Sequence, residues 1–193
     1  MTTTSPTPIA TPPQQACTRR PRCRRQVSRW STPVLLLGLL LLGLPAFASP
    51  TTANLDNCRP LSLADDAPLA PAERNGRWLY LDFWASWCVP CRQTFPFMNT
   101  LQADFAAQGL DIMAISLDDG AEEARRFLAE YPADFAVALD TRGRCPRDLE
   151  VPGLPAAYLI SPDGSIQLRH LGFKAEDAAE IRRTIEQALS GQL

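Results

Sequence analysis

Leu81-Asp82-Phe83-Trp84-Ala85-Ser86-Trp87-Cys88-Val89-Pro90-Cys91 runs from a strongly apolar stretch into two cysteines three positions apart. With Arg77 to Tyr80 in front, residues 77–84 read RWLYLDFW, as expected of a central strand buried on both faces. From about Pro90 the spacing changes. Phe97, Met98, Leu101 and Phe105 form the apolar stripe of a helix that would continue to Gln108 and stop at Gly109. The cysteines therefore fall where a strand ends and a helix begins. That placement brings both sulfurs within bonding reach and aims the positive end of the helix and its unpaired first-turn N–H groups at Cys88. Both effects favour thiolate over thiol, so Cys88 is the expected exposed nucleophile. Cys91, one turn in, is expected to be more buried and to resolve whatever bond Cys88 makes. Pro90 suits an early helical position, which needs no N–H donor.

Outward from this segment the pattern alternates. Ala53 to Gly76 is rich in Pro, Asp and Ala and reads as an irregular lead-in. Strands are expected at Leu110–Leu117 and Phe135–Leu139. A hairpin of Ala156–Ile160 and Ser165–Leu171 turns at Ser161-Pro162-Asp163-Gly164. Helices are expected at Ala121–Tyr131, where Pro132 ends the run, and at Ala175–Leu189, with a short helix or turn over Cys145–Val151. The order β-α-β-α-β-α-β-β-α implies right-handed crossovers followed by an antiparallel hairpin. The expected class is α/β, a central mixed sheet with helices on both faces.

Residues 1–48 are an address rather than a fold. They hold six arginines, at 19, 20, 22, 24, 25 and 29, and no acid. An apolar run from Pro33 to Leu44 follows, then Ala46-Phe47-Ala48, a small-residue cleavage signal. The run is shorter than the ~20 residues of a spanning helix. Residues 1–48 thus read as a signal peptide cleaved after Ala48, or as a retained amino-terminal anchor. Either sends the remainder across the membrane into the periplasm or beyond it. Residues 49–57 read as a linker. The portion after residue 48 carries 13 basic and 21 acidic residues, a balance that argues against nucleic acid as a partner.

Of six cysteines, Cys17 and Cys23 lie in the leader, leaving Cys58, Cys88, Cys91 and Cys145. Half a zinc knuckle is the bland reading of Cys88 and Cys91, but zinc would need a second pair. Cys58 and Cys145 stand alone, and His170 is the only histidine. Haem attachment would need His where Arg92 stands. No metal and no cofactor is called for.

Leu81 to Cys91 resembles the active-site segment of the thioredoxin superfamily, and is most similar to the membrane-linked TlpA/ResA-like disulfide reductases. Pro96, five residues after Cys91, matches the helix-kinking proline of that fold. Val151-Pro152-Gly153-Leu154-Pro155, followed by a strand, resembles its cis-proline loop. The resemblance covers about residues 58–190 and implies a thioredoxin-like domain over 58–193, with the extra helix and strand of this branch. It implies Cys88 and Cys91 as catalytic. It also implies substrate binding by Trp87, Pro90, Leu154 and Pro155, with Pro155 in cis and Trp87 shielding the sulfurs. Disulfide-bearing client proteins, apocytochrome c or copper-site proteins among them, would be the partners. A membrane thiol–disulfide donor would recharge the pair. Thr94 is a departure, since many ResA-like members carry Glu there.

Asp82, an acid inside an apolar strand, should have its pKa raised by desolvation. The matching acid of thioredoxin implies a proton relay for Cys91; the alternative is a strand-end Asp bonded to backbone or water. Cys58 and Cys145 are candidates for a second, structural disulfide, favoured by export, with a free thiol or an intermolecular bridge left open. His170 reads as a partly exposed strand residue, and Asp118-Asp119-Gly120 as a turn capping the next helix. Two rival functions remain. A thiol peroxidase would carry Pro-x-x-x-Thr-x-x-Cys, and the stretch ending at Cys88 has neither that Pro nor that Thr. A metal chaperone of the copper type would space its cysteines one residue further apart.

Overall fold

The computed structural model describes residues 51–193, so residues 1–48, expected to be a leader or anchor, lie outside the described residues. Six strands form one sheet: β1 Leu61–Ser62, β2 Trp78–Trp84, β3 Leu110–Ser116, β4 Ala136–Leu139, β5 Ala156–Ile160 and β6 Ile166–Leu171. The helices are α1 Cys91–Phe105, α2 Ala121–Glu130, α3 Arg144–Asp148 and α4 Asp177–Leu189, with a 3₁₀ turn at Ala106–Gln108 closing α1. Across the sheet the order is β1-β4-β3-β2-β5-β6. Strands β2, β3 and β4 are parallel, and β1, β5 and β6 antiparallel to their neighbours. This is the mixed α/β sheet of a thioredoxin-like fold. No helix among the described residues is long and apolar enough to cross a membrane.

Strand β2 is central and buried on both sides, and alternation of its side chains builds two cores. Tyr80 and Trp84 face α1, α2 and α4, meeting Phe95, Met98, Phe127, Ile181 and Ile185. Leu79, Leu81 and Phe83 face the other way, onto Leu55, Cys58, Cys145 and Leu149. Among the described residues, the one helix on that second face is the five-residue α3. The lead-in supplies the rest of the cover. Gly109, the expected helix stop, ends the 3₁₀ turn with φ 102°, a left-handed conformation that suits a residue without Cβ.

Two sequence expectations need correction. The lead-in contains a strand, β1, whose Leu61 and Ser62 pair with Leu139 and Ala138. Two residues are too few to show a period. The segment 49–57 is also not a free linker from Thr51 onward. The Ile166 N–H donates to the Thr51 carbonyl at 2.9 Å and the Ala53 N–H to the Gly164 carbonyl at 2.8 Å. Leu55 is buried at 2% exposure. Backbone hydrogen bonds hold this stretch to the hairpin, and such bonds leave no mark on composition.

Candidate active site

The site begins where β2 runs out. Ala85 to Cys88 form a turn closed by the Cys88 N–H donating to the Ala85 carbonyl at 3.0 Å. The N–H groups of Cys91, Arg92 and Gln93 then donate to the carbonyls of Cys88, Val89 and Pro90 at 3.2, 3.2 and 3.0 Å. Pro90, with φ −66°, caps α1, which starts at Cys91. This tight entry alters the expected electrostatics. The N–H groups of residues 91–93 are turned back into the turn, so the aligned peptide dipoles of α1 are what favours negative charge at Cys88.

Cys88 and Cys91 are joined in a disulfide with Cα atoms 5.4 Å apart. Cys91 is fully buried and Cys88 retains 4% exposure. The order of burial follows expectation, but Cys88 in this bonded state is an edge rather than an exposed sulfur. The exposure belongs to its neighbours. Trp87 is 68% open to solvent and Val89 is similarly bare. Trp87 and Val89 thus present apolar surface on either side of Cys88 in the chain, the kind of patch that marks an interaction site.

The Leu154–Pro155 peptide bond is cis. Phe83 pairs with Ala156 in antiparallel register, which sets Pro155 beside Trp84 at the end of β2. The Pro155 carbonyl accepts from the Gly172 N–H at 2.8 Å, tying this loop to the end of β6. Leu154 is half-buried and packs against both cores.

Asp82 lies in the middle of β2 at 1% exposure. Strand alternation places it on the face of Tyr80 and Trp84, the same face that holds Cys91. Its Oδ2 has no hydrogen-bond partner. Burial pushes its carboxyl well above the ordinary carboxylate range. The consequence for stability has a definite sign. Below the ordinary Asp value both folded and unfolded chains hold the proton. As pH rises past it, the unfolded chain releases a proton that the fold retains, so stability falls until the raised native value is reached. We expect Asp82→Asn to stabilise the chain at pH 7 by on the order of 1–3 kcal/mol. The gain should shrink toward pH 4. Denaturant titrations at the two pH values check it, and a gain equal at both would contradict the assignment.

Cys58 and Cys145 are also bonded, with Cα atoms 4.6 Å apart and both residues fully buried. They join the lead-in to α3 on the second face, away from Cys91. Thr94, buried in α1, donates its hydroxyl to the Cys91 carbonyl at 2.9 Å and projects no acid. His170 sits 3.2 Å from the Asp177 carboxylate.

Asp118 corrects the reading of a helix cap. Helix α2 starts behind Gly120 with no side-chain cap. The Asp118 carboxylate turns inward instead and accepts from the Ser86 N–H and hydroxyl, two residues before Cys88. The available signal was positional: residues following adjacent parallel strands end up as neighbours, and Asp118 follows β3 as Ser86 follows β2.

The profile of the AhpC/TSA family matches residues 53–169. The thiol-disulfide oxidoreductase ResA of Bacillus subtilis is 32% identical over 95 residues, covering 49% of this chain and 53% of that protein. The ResA of Oceanobacillus iheyensis is 32% identical over 103 residues, 53% of this chain and 54% of that one. The chain thus spans about half the length of the curated relatives it matches. Among solved structures, a protein named thiol:disulfide interchange protein DsbE from Chlorobium tepidum superposes with a TM-score of 0.67 and 37% identity. The match covers 73% of this chain and 99% of that one. A secreted Mycobacterium tuberculosis disulfide oxidoreductase matches at TM-score 0.57 and 20% identity over 66% of this chain and 93% of that one, a likeness of fold alone. With the profile spanning more than half of the sequence, the chain belongs to the AhpC/TSA family, and it is similar to the ResA proteins and to the Chlorobium protein.

Proposed function

We propose that this chain is an exported thiol–disulfide oxidoreductase, working as a reductase on disulfide-bearing client proteins. The observation that carries the reading is the bonded Cys88–Cys91 pair at the start of α1, graded in burial and adjoining a cis-proline loop. In the reduced chain the Cys88 thiolate attacks a client disulfide, forming a mixed disulfide and releasing one client thiolate. Cys91 then loses its proton and attacks the Cys88 sulfur. The second client thiol leaves and the Cys88–Cys91 bond re-forms. The ionised form of Asp82, a stronger base than an ordinary carboxylate because burial disfavours its charge, accepts the Cys91 proton from the same face of the sheet. Trp87, Pro90, Leu154 and Pro155 hold the client segment beside the sulfurs.

Export is supported by the leader-like composition of residues 1–48, and by a second, fully buried disulfide of a kind rare in reducing compartments. Domain limits follow: residues 1–48 as leader or anchor, with the folded unit starting by Thr51. A membrane thiol–disulfide donor would return the pair to its dithiol form. Resemblance to ResA-like reductases points to apocytochrome c or copper-site proteins as clients.

Redox titration tests the direction. A reductase should show a Cys88–Cys91 potential near about −270 mV, and a value near about −120 mV would make the chain an oxidant instead.

A further inference from the structure

The interior holds a second buried carboxylate that the exchange mechanism leaves unused. Asp118 is 3% exposed. Its oxygens accept from the Ser86 N–H at 3.0 and 3.1 Å and from the Ser86 hydroxyl at 2.8 Å. The Ser116 hydroxyl, also at 2.8 Å, donates to the same carboxylate and accepts from the Asp118 N–H at 3.1 Å. An ionised carboxylate only accepts, so it suits three converging donors. Hydrogen bonds to a charged acceptor are roughly twice as strong as neutral ones.

What this carboxylate grips matters more than the bonds themselves. Ser86 lies inside the Ala85–Cys88 turn, whose closing bond is made by the Cys88 N–H. Among the described residues no other side chain hydrogen-bonds to that turn. The neighbouring Leu117 N–H donates to the Trp84 carbonyl at 2.8 Å, so the chain leaving β3 is fastened to the chain leaving β2 at two successive points. Cys91 in turn hangs from the Cys88 carbonyl. Ser86 and Cys88 thus share one hydrogen-bonded turn, two residues apart.

We propose that Asp118 is the positioning residue of the redox pair. It holds Ser86, and through the turn holds the Cys88 sulfur within bonding reach of Cys91. The inference rests on the proposed exchange function. It ties the readiness of the pair to close its ring to a side chain that touches neither sulfur. Loss of the grip should lower the effective concentration of one sulfur at the other, which favours the open dithiol.

The test equilibrates the full chain with reduced and oxidised glutathione. Two glutathione thiols reduce Cys88–Cys91 to the dithiol and leave as glutathione disulfide, a two-electron exchange that balances. Asp118→Asn keeps the size of the side chain but turns a donor toward Ser86 or Ser116. It should shift the equilibrium toward the dithiol by roughly fivefold or more. Ser86→Ala should shift it the same way by about threefold, and the double variant should go no further than Asp118→Asn. Asp140→Asn is the comparison: that carboxylate is also buried and accepts from the Arg142 and Cys145 N–H groups, neither of them in the redox turn, while only its backbone N–H reaches the Ser116 carbonyl, at 3.0 Å. Its loss should weaken the fold yet leave the glutathione equilibrium within about twofold. An unmoved equilibrium in Asp118→Asn overturns the proposal, as does an equal shift in Asp140→Asn. Should Asp118→Asn fail to fold, an unmoved Ser86→Ala overturns it. Failure of the exchange reading looks different, because the unaltered chain would then show no glutathione exchange at all.

Discussion

Cys91→Ser should attack client disulfides once and then stall. With Cys88 intact the mixed disulfide still forms, but its resolution must wait for a thiol from solution. An intramolecular thiol acts at an effective concentration far above the millimolar thiol that would replace it, so turnover is expected to fall by roughly 10³-fold. Disulfide-linked adducts should accumulate and be visible by mass spectrometry under non-reducing conditions. Cys88→Ser should neither turn over nor form adducts, because the Cys91 that remains is fully enclosed. If the unaltered chain turns over and Cys91→Ser captures nothing, the division of labour between the two sulfurs is wrong. The captured proteins would also name the clients.

The second large effect concerns the other sulfur pair. Cys58 and Cys145 are 87 positions apart in sequence, so their bond closes a long loop and removes much of the freedom of the unfolded chain. Replacing both with Ala should lower unfolding free energy by about 2–5 kcal/mol. The loss should fall on the second face, where irregular chain and a five-residue helix stand in for longer helices. Urea denaturation of both chains, with Cys88–Cys91 kept oxidised, measures it. A change below about 1 kcal/mol would mean that the lead-in is held by packing alone. Exchange at Cys88 should survive the replacement under native conditions, because the two bonds lie on opposite faces of β2.

Much of this arrangement could be read in advance because its signals are local. The apolar run before Cys88 fixes β2, the stripe from Phe97 to Phe105 fixes α1, and the Pro152–Pro155 segment lies immediately before a strand. What escaped was built by contacts distant in sequence. Strand β1 exists through its pairing with β4, and its two residues carry no periodicity of their own. Thr51 to Ala53 look like spacer because backbone hydrogen bonds to the hairpin, with only the small Ala53 side chain packed on the core, hold them in place. Asp118 looks like a helix cap because Gly120 and a helix follow it, whereas its partner Ser86 lies 32 positions back. The hidden orientation of Cys88 has a similar cause. Cys88 belongs to the same apolar core as Trp84, Phe95 and Phe127, residues spread over β2, α1 and α2.

The attachment of Thr51 and Ala53 beside the 161–165 turn has a geometric corollary. That turn sits at the far pole of β5 from Pro155, so the entering chain and the sulfurs are separated by five residues of strand, about 17 Å. Thr51 and Ala53 therefore lie at the pole remote from the chemistry. A surface docked against that pole would leave the Cys88–Cys91 tip uncovered.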